Sequence, residues 1–157
     1  MRIAAGIFLI IASILNLIAG ITYFAGGGLA AGAGALAEGA NEAAVANGGE
    51  VALQNAEAAA EMSTAGGGLM ALGIFLLVVM VLQIVGAVQS FRAKGAMLVL
   101  ITGALSIIAE VAGIVVVSFG IMNIVGLVAG ILAIMAGLQI KKAGEGAVAA
   151  PPAGMAA

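Results

Sequence analysis

Residues 66–90 read GGGLMALGIFLLVVMVLQIVGAVQS and contain no acidic or basic side chain. A helical run of this length crosses the ~30 Å hydrocarbon core of a bilayer, because a helix rises ~1.5 Å per residue. A helix also satisfies its own backbone hydrogen bonds in lipid, and the alternating pattern of a membrane barrel does not occur in this stretch. The stretch therefore predicts a transmembrane helix.

Three further apolar runs of similar length surround this one. The four predicted spans are about 3–25, 66–90, 96–118 and 120–140. The chain is 64% hydrophobic and 8% charged, with a mean hydropathy of +1.32, whereas ordinary soluble domains are roughly 25% charged. We therefore predict an all-α integral membrane protein, a four-helix bundle that occupies residues 1–142.

The first run has an alternative interpretation as a secretory signal peptide. A basic residue precedes it, and small residues at Ala31, Gly32 and Ala33 resemble a cleavage site. The apolar run is longer than the usual 7–15-residue core of a signal peptide. We expect it to be retained as the first span.

The basic residues predict the orientation of the spans. They precede the first span, separate the second from the third and follow the fourth, as Arg2, Arg92, Lys94, Lys141 and Lys142. Cytoplasmic connections carry an excess of Lys and Arg, so both termini are predicted to be cytoplasmic. The long connection 26–65 then lies outside, and it carries five acidic residues and no basic one: Glu38, Glu42, Glu50, Glu57 and Glu61.

This connection is expected to be an outer loop rich in Ala, Gly, Asn and Glu. Glycine triplets at 26–28 and 66–68 suggest flexible joints at its two ends, and residues 50–62 favour a partly helical segment. Three of the glutamates would share one face of that helix, which is either a solvated face or a surface that binds a cation or a partner. Calcium would need an Asp-rich loop, which is not present here.

The end of the chain, residues 143–157, consists of Ala, Gly and Pro with a few other residues. Pro151 and Pro152 argue against a helix there. We predict a disordered cytoplasmic tail.

Glu110 is the one acidic or basic residue within the predicted spans, and such a residue suggests a functional site. It shares a narrow arc of the third span with small residues that include Gly103 and Gly113, so it should face another helix. Counted along the helices, Asn16 of the first span lies at almost the same depth. We hypothesise that Asn16 hydrogen-bonds a neutral Glu110, either as packing or as part of a proton or cation site.

Gln83 and Thr102 are likewise at equal depth, nearer the cytoplasmic side, and are candidates for a second polar contact. The zone between these two polar levels is expected to be apolar. A pathway for a solute needs polar groups at several depths, so this pattern favours a scaffold over a transporter.

Small residues form a stripe on the fourth span: Gly126, Gly130, Ala133 and Gly137. The spacing from Gly126 to Gly130 is the GxxxG pattern, which allows two helix backbones to approach closely. The partner helix is either a neighbour in the same chain or a second copy.

Several functional classes are disfavoured by composition. The chain has no His and no Cys, so the usual metal ligands and the cysteine nucleophile are missing, and we expect no cofactor and no metal site. The spans offer no pair of carboxylates and no serine beside a base, so we expect no enzymatic activity. Five scattered basic residues do not form a nucleic-acid-binding surface.

Residues 3–12 (IAAGIFLIIA), the acidic outer segment and residues 137–142 (GLQIKK) together carry a family resemblance. The chain resembles small four-span bacterial membrane proteins that form an uncharacterised domain family. Its topology is similar to that of claudins and other tetraspan proteins, but the claudin Trp, Gly-Leu-Trp and Cys-pair signature is missing. The resemblance implies a multi-pass bundle without an assigned activity.

These observations predict a non-enzymatic accessory, scaffolding or interaction subunit of a cell membrane. The resemblance implies that this membrane is the bacterial plasma membrane. Its partners would be the lipid bilayer and either another membrane protein or a second copy. The alternative is a small oligomeric transporter or channel that uses Glu110 as a proton or cation site.

Overall fold

The computed structural model describes residues 1–50 and 53–149. These residues form helices and turns without a strand. The four helices are α1 (Arg2–Ala46), α2 (Leu53–Arg92), α3 (Ala96–Val116) and α4 (Ile121–Ala149). All four are long and apolar enough to cross a membrane. The all-α prediction and the number of candidate spans are therefore confirmed.

The connection 26–65 differs from the expected loop. Helix α1 continues through its first half to Ala46, and α2 already begins at Leu53. The prediction of flexible glycine joints at 26–28 and 66–68 was wrong, because both triplets lie inside helices. Alanine is the strongest helix former, and Gly27 and Gly66, one from each triplet, allow α1 and α2 to pack closely, which offsets their poor helix propensity.

The predicted tail also differs in its first half. Helix α4 runs to Ala149, so residues 143–149 are helical. This part is rich in alanine, and its Glu145 forms an exposed ion pair at 3.9 Å with Lys141, one helical turn earlier. The predicted disorder of residues 150–157 lies outside the described residues.

Helices α1 and α2 end in short turns in which backbone hydrogen bonds cap the helix. After α1, Gly48 adopts φ +78°, and the N–H groups of Gly48 and Gly49 donate to the carbonyls of Val45 and Ala44. This is the Schellman motif, in which glycine takes the left-handed conformation at low cost. The same two hydrogen bonds end α2, with Ala93 in the left-handed position.

The chain divides into two compact units. The first contains Met1–Leu15 and the chain from Val79 onward, and the second is Asn16–Val78. The core of the first unit draws on all four helices and is built largely from small residues: Ala5, Leu9, Ala12, Ala87, Val99, Ala129, Ala133, Ala136 and Ile140. Large apolar side chains such as Ile7, Ile108 and Ile131 are exposed, which suits a surface that faces lipid.

The second unit is an antiparallel pair of helices with glycine along its seam. In α1 these glycines recur every seven residues at Gly20, Gly27 and Gly34. Each lies close to the backbone of a small residue of α2. Gly20 faces Gly73, Gly27 faces Gly66 and Gly34 faces Ala59. A seven-residue repeat keeps one contact line continuous along two helices that supercoil around each other.

Candidate functional site

Three polar side chains of α3 form a row on one face of the helix, which we call the α3 polar row: Thr102, Ser106 and Glu110. Their spacing of four residues places them one above another along the helix. All three are buried, with Glu110 only 7% exposed. They therefore lie on the packed face of α3 and not on its outer face.

Thr102 and Ser106 connect α3 to α2 and α4 by hydrogen bonds. The Ser106 hydroxyl accepts a hydrogen bond from Gln83 Nε2 at 2.9 Å and donates to the Gly126 carbonyl at 3.2 Å. The Thr102 hydroxyl donates to the Leu82 carbonyl at 3.3 Å, and the Thr102 side chain also fills the space over Gly86. One serine thus joins three helices, and buried hydrogen bonds of this kind hold helices together in lipid.

The expectation of an apolar zone between the two polar levels was wrong. Ser106 lies between Thr102 and Glu110 and is fully buried. Ser106 was not among the polar residues selected from the sequence. The four-residue spacing of three polar residues on α3 was the signal that would have identified the row.

Glu110 is the last residue of the α3 polar row along the chain, and its side chain contacts the first turn of α4. Asn123 Nδ2 donates a hydrogen bond to Glu110 Oε2 at 2.9 Å. Asn123 Oδ1 in turn accepts a hydrogen bond from the Gly120 backbone N–H at 2.8 Å, which is the way the third residue of a helix closes a capping box. Asn123 therefore connects the carboxyl group of Glu110 to the first turn of α4.

Gly126 makes room for the Glu110 carboxyl group. A Cβ atom at Gly126 would overlap Glu110 Oε1, and it would lie 2.7 Å from Glu110 Cγ. The absence of a side chain at this position is thus what allows the carboxyl group to lie against α4. Sequence analysis singled out both residues but assigned them to separate features.

Gly130 and Gly137 of the α4 stripe also face α3. A Cβ at Gly130 would lie 2.9 Å from the Gly103 carbonyl oxygen, and one at Gly103 would lie 2.8 Å from the Gly130 carbonyl oxygen. Gly137 packs in the same way against Leu100 and the Ala96 carbonyl. Ala133 is fully buried in the core, and Gly113 lies near Asn123. The stripe is therefore occupied by contacts within the chain.

Asn16 and Gln83, the remaining predicted polar residues, are buried as well. Asn16 belongs to the second unit and Glu110 to the first, so the proposed hydrogen bond between them stays a prediction. The contact of Gln83 that the structure identifies is with Ser106. Asn123, which the sequence analysis did not select, is the partner found for Glu110.

Two buried serines give a matched pair for measuring how much the α3 polar row contributes to the free energy of unfolding. Ser106 forms two hydrogen bonds, whereas the Ser90 hydroxyl is fully buried without a partner among the described residues. We expect Ser106→Ala to lower the free energy of unfolding by about 1–2 kcal/mol, and Ser90→Ala to leave it unchanged or raise it. Thermal unfolding in detergent micelles would measure both, and equal losses would contradict the assignment.

The second feature is the acidic hairpin, which we define as residues 26–50 and 53–65. Its four helical carboxylates are on α1 and α2, at Glu38, Glu42, Glu57 and Glu61. Three of them are exposed and Glu38 is half-buried. Among the described residues, no three acidic side chains converge as a metal site would require. The hairpin is thus a negatively charged surface.

Four long apolar helices, with the α3 polar row on a packed face, are compatible with a multi-pass α-helical membrane protein. No protein-family model, curated protein or solved structure matches the chain. A narrower assignment therefore rests on the physical properties of the α3 polar row and the acidic hairpin.

Proposed function

We propose that this protein is a non-enzymatic accessory, scaffolding or interaction subunit of a cell membrane, and that the acidic hairpin is the part that meets a partner. One observation carries the proposal. Helices α1 and α2 contain 45 and 40 residues, about twice the ~20 that a bilayer requires. The additional length contains most of the carboxylates of the chain.

The hairpin has the stiffness that such a role requires. Gly27 and Gly66 bring the two helix backbones together, since a Cβ at Gly27 would lie 2.5 Å from the Met70 nitrogen. Gly34 repeats this contact one heptad later, against Ser63 and Ala59. A closely packed helix pair holds its surface in one arrangement, which lowers the entropy lost on binding.

The distribution of charge supports an orientation with the hairpin outside. Within the first unit, Gly6 contacts Phe91 and Gly137 contacts Leu100, which groups the start of α1, the end of α2, the start of α3 and the end of α4. All five basic residues are near these ends. We infer that this end is cytoplasmic, in a plasma membrane of bacterial type, because Lys and Arg accumulate on the cytoplasmic side.

The proposal is tested by removing the hairpin tip. Deleting residues 35–62 and joining Gly34 to Ser63 through a short Gly-rich turn preserves both spans, because Gly34 and Ser63 are already in contact. We expect the shortened chain to insert and melt normally, while the complex that the natural chain forms in its own membranes disappears from native gels. A complex that survives the deletion would contradict the proposal.

A second candidate function, a small oligomeric transporter or channel, is favoured by the α3 polar row alone. The row provides polar groups at three depths and ends in a carboxyl group. Proton or cation flux into sealed vesicles measures this directly. On the leading proposal, the natural chain and Glu110→Gln both give no flux above empty vesicles. Flux that is lost in Glu110→Gln would reverse the ranking.

A further inference from the structure

The tip of the acidic hairpin contains an apolar groove between its two helices. Its cavity has a volume of about 510 Å³. The groove, which we call the tip groove, is lined by Asn41, Glu42, Val45, Ala46, Leu53 and Ala56. This volume falls in the range of sites that hold ligands or the side chains of a bound segment.

The groove displays large apolar side chains in a part of the chain that is otherwise made mainly of small and acidic residues. Val45 is 60% exposed and Leu53 is 81% exposed. Outside the membrane both side chains would face water, so burying them against a partner would be favourable. The groove thus brings two exposed apolar side chains to one site, where a single partner segment could bury both.

The charges around the groove select the occupant. Glu42 lines it, and Glu38 and Glu57 are within one helical turn of its lining residues along α1 and α2. No Lys or Arg occurs between Arg2 and Arg92. A second copy of this hairpin and an anionic lipid surface would both be repelled, whereas a basic segment would be attracted.

We propose that the tip groove binds a basic amphipathic segment of a partner protein, which inserts an apolar side chain between Val45 and Leu53 and places Lys or Arg beside Glu42. This inference rests on the proposed function, because it needs the hairpin to lie outside the membrane. It specifies the chemistry of the partner that the hairpin meets.

The test is a selection of random peptides displayed on phage against the full chain in nanodiscs. The enriched peptides should combine Lys or Arg with Leu, Ile or Phe at helical spacing of three or four residues. The affinity of the best peptide, measured by fluorescence anisotropy, should fall at least tenfold in the double variant Val45→Ala with Leu53→Ala. It should also weaken in Glu42→Gln and at high salt.

Leu36→Ala is the matched control, because Leu36 is 78% exposed on the same helix but does not line the groove. This variant should bind as the natural chain does, and all variants should melt at similar temperatures. Peptides without basic residues, or equal binding by the groove variant, would overturn the proposal. So would a dimer of the chain that the groove variant converts to monomers, because a second copy would then be the occupant.

The same groove variant separates this inference from the proposed function. If the native complex is lost on deletion of residues 35–62 but survives Val45→Ala with Leu53→Ala, the hairpin still meets a partner and the tip groove is not the contact. If the complex also survives the deletion, the proposed function itself fails. The two failures therefore give different results.

Discussion

Replacing Gly27 with alanine is expected to lower the free energy of unfolding by roughly 2 kcal/mol, within the range measured for overpacked contacts. A Cβ at this position would lie 2.5 Å from the Met70 nitrogen and 2.6 Å from the Gly66 carbonyl oxygen. Both are backbone atoms, so the clash is not relieved by rotating a side chain. The two helices would have to separate along the seam.

Gly26 provides a control one residue away in the same helix. A Cβ there meets nothing within 4 Å. Gly26→Ala should therefore leave stability unchanged or raise it by up to ~1 kcal/mol, because alanine favours the helix. Thermal unfolding of the two variants in one detergent makes the comparison, and equal melting temperatures would contradict the packing of α1 against α2 within the second unit.

The second large effect is expected at Gly126. Gly126→Ala places a methyl group where the Glu110 carboxyl group now lies, which would displace the carboxyl group and break its hydrogen bond from Asn123. A half-buried amide and a buried carboxyl group would both lose a partner, at a cost of about 1–3 kcal/mol. We expect Gly126→Ala to lower the melting temperature clearly.

The sign of the Gly126 effect should reverse when Glu110 is shortened. In a Glu110→Ala background the methyl group of Gly126→Ala enters vacated space and alanine favours the helix, so the second change should be neutral or stabilising. Melting temperatures of the natural chain, both single variants and the double variant form the cycle. Additive effects would show that Glu110 does not lie over Gly126.

Much of the fold could be predicted because the bilayer imposes a simple length and composition rule. Residues 66–90 met that rule without ambiguity, and α2 covers them entirely. The same rule places no limit on a helix that continues into water, so it could not predict that α1 extends to Ala46. The seven-residue spacing of Gly20, Gly27 and Gly34 was visible in the sequence, and it indicated a paired helix where a loop was expected.

The candidate site was less predictable, for a physical reason. The depth of Glu110 in the membrane follows from counting residues, but depth alone does not determine which side chain it meets. Asn123 is only thirteen positions away and reaches Glu110 because the short turn between Val116 and Ile121 folds α4 back along α3. Its role depends on the rotation of two helices about their axes, which apolar periodicity determines poorly in spans that are apolar on all sides.

The proposed function requires the acidic hairpin to project from the membrane on the side opposite to the basic residues. The natural chain has no cysteine, so single cysteines can be labelled without background at Gly39→Cys on the hairpin and at Lys94→Cys in the turn before α3. A membrane-impermeant maleimide should label Gly39→Cys in sealed cells and Lys94→Cys only after permeabilisation. Protection of Gly39→Cys, or labelling of Lys94→Cys in sealed cells, would contradict this orientation of the hairpin.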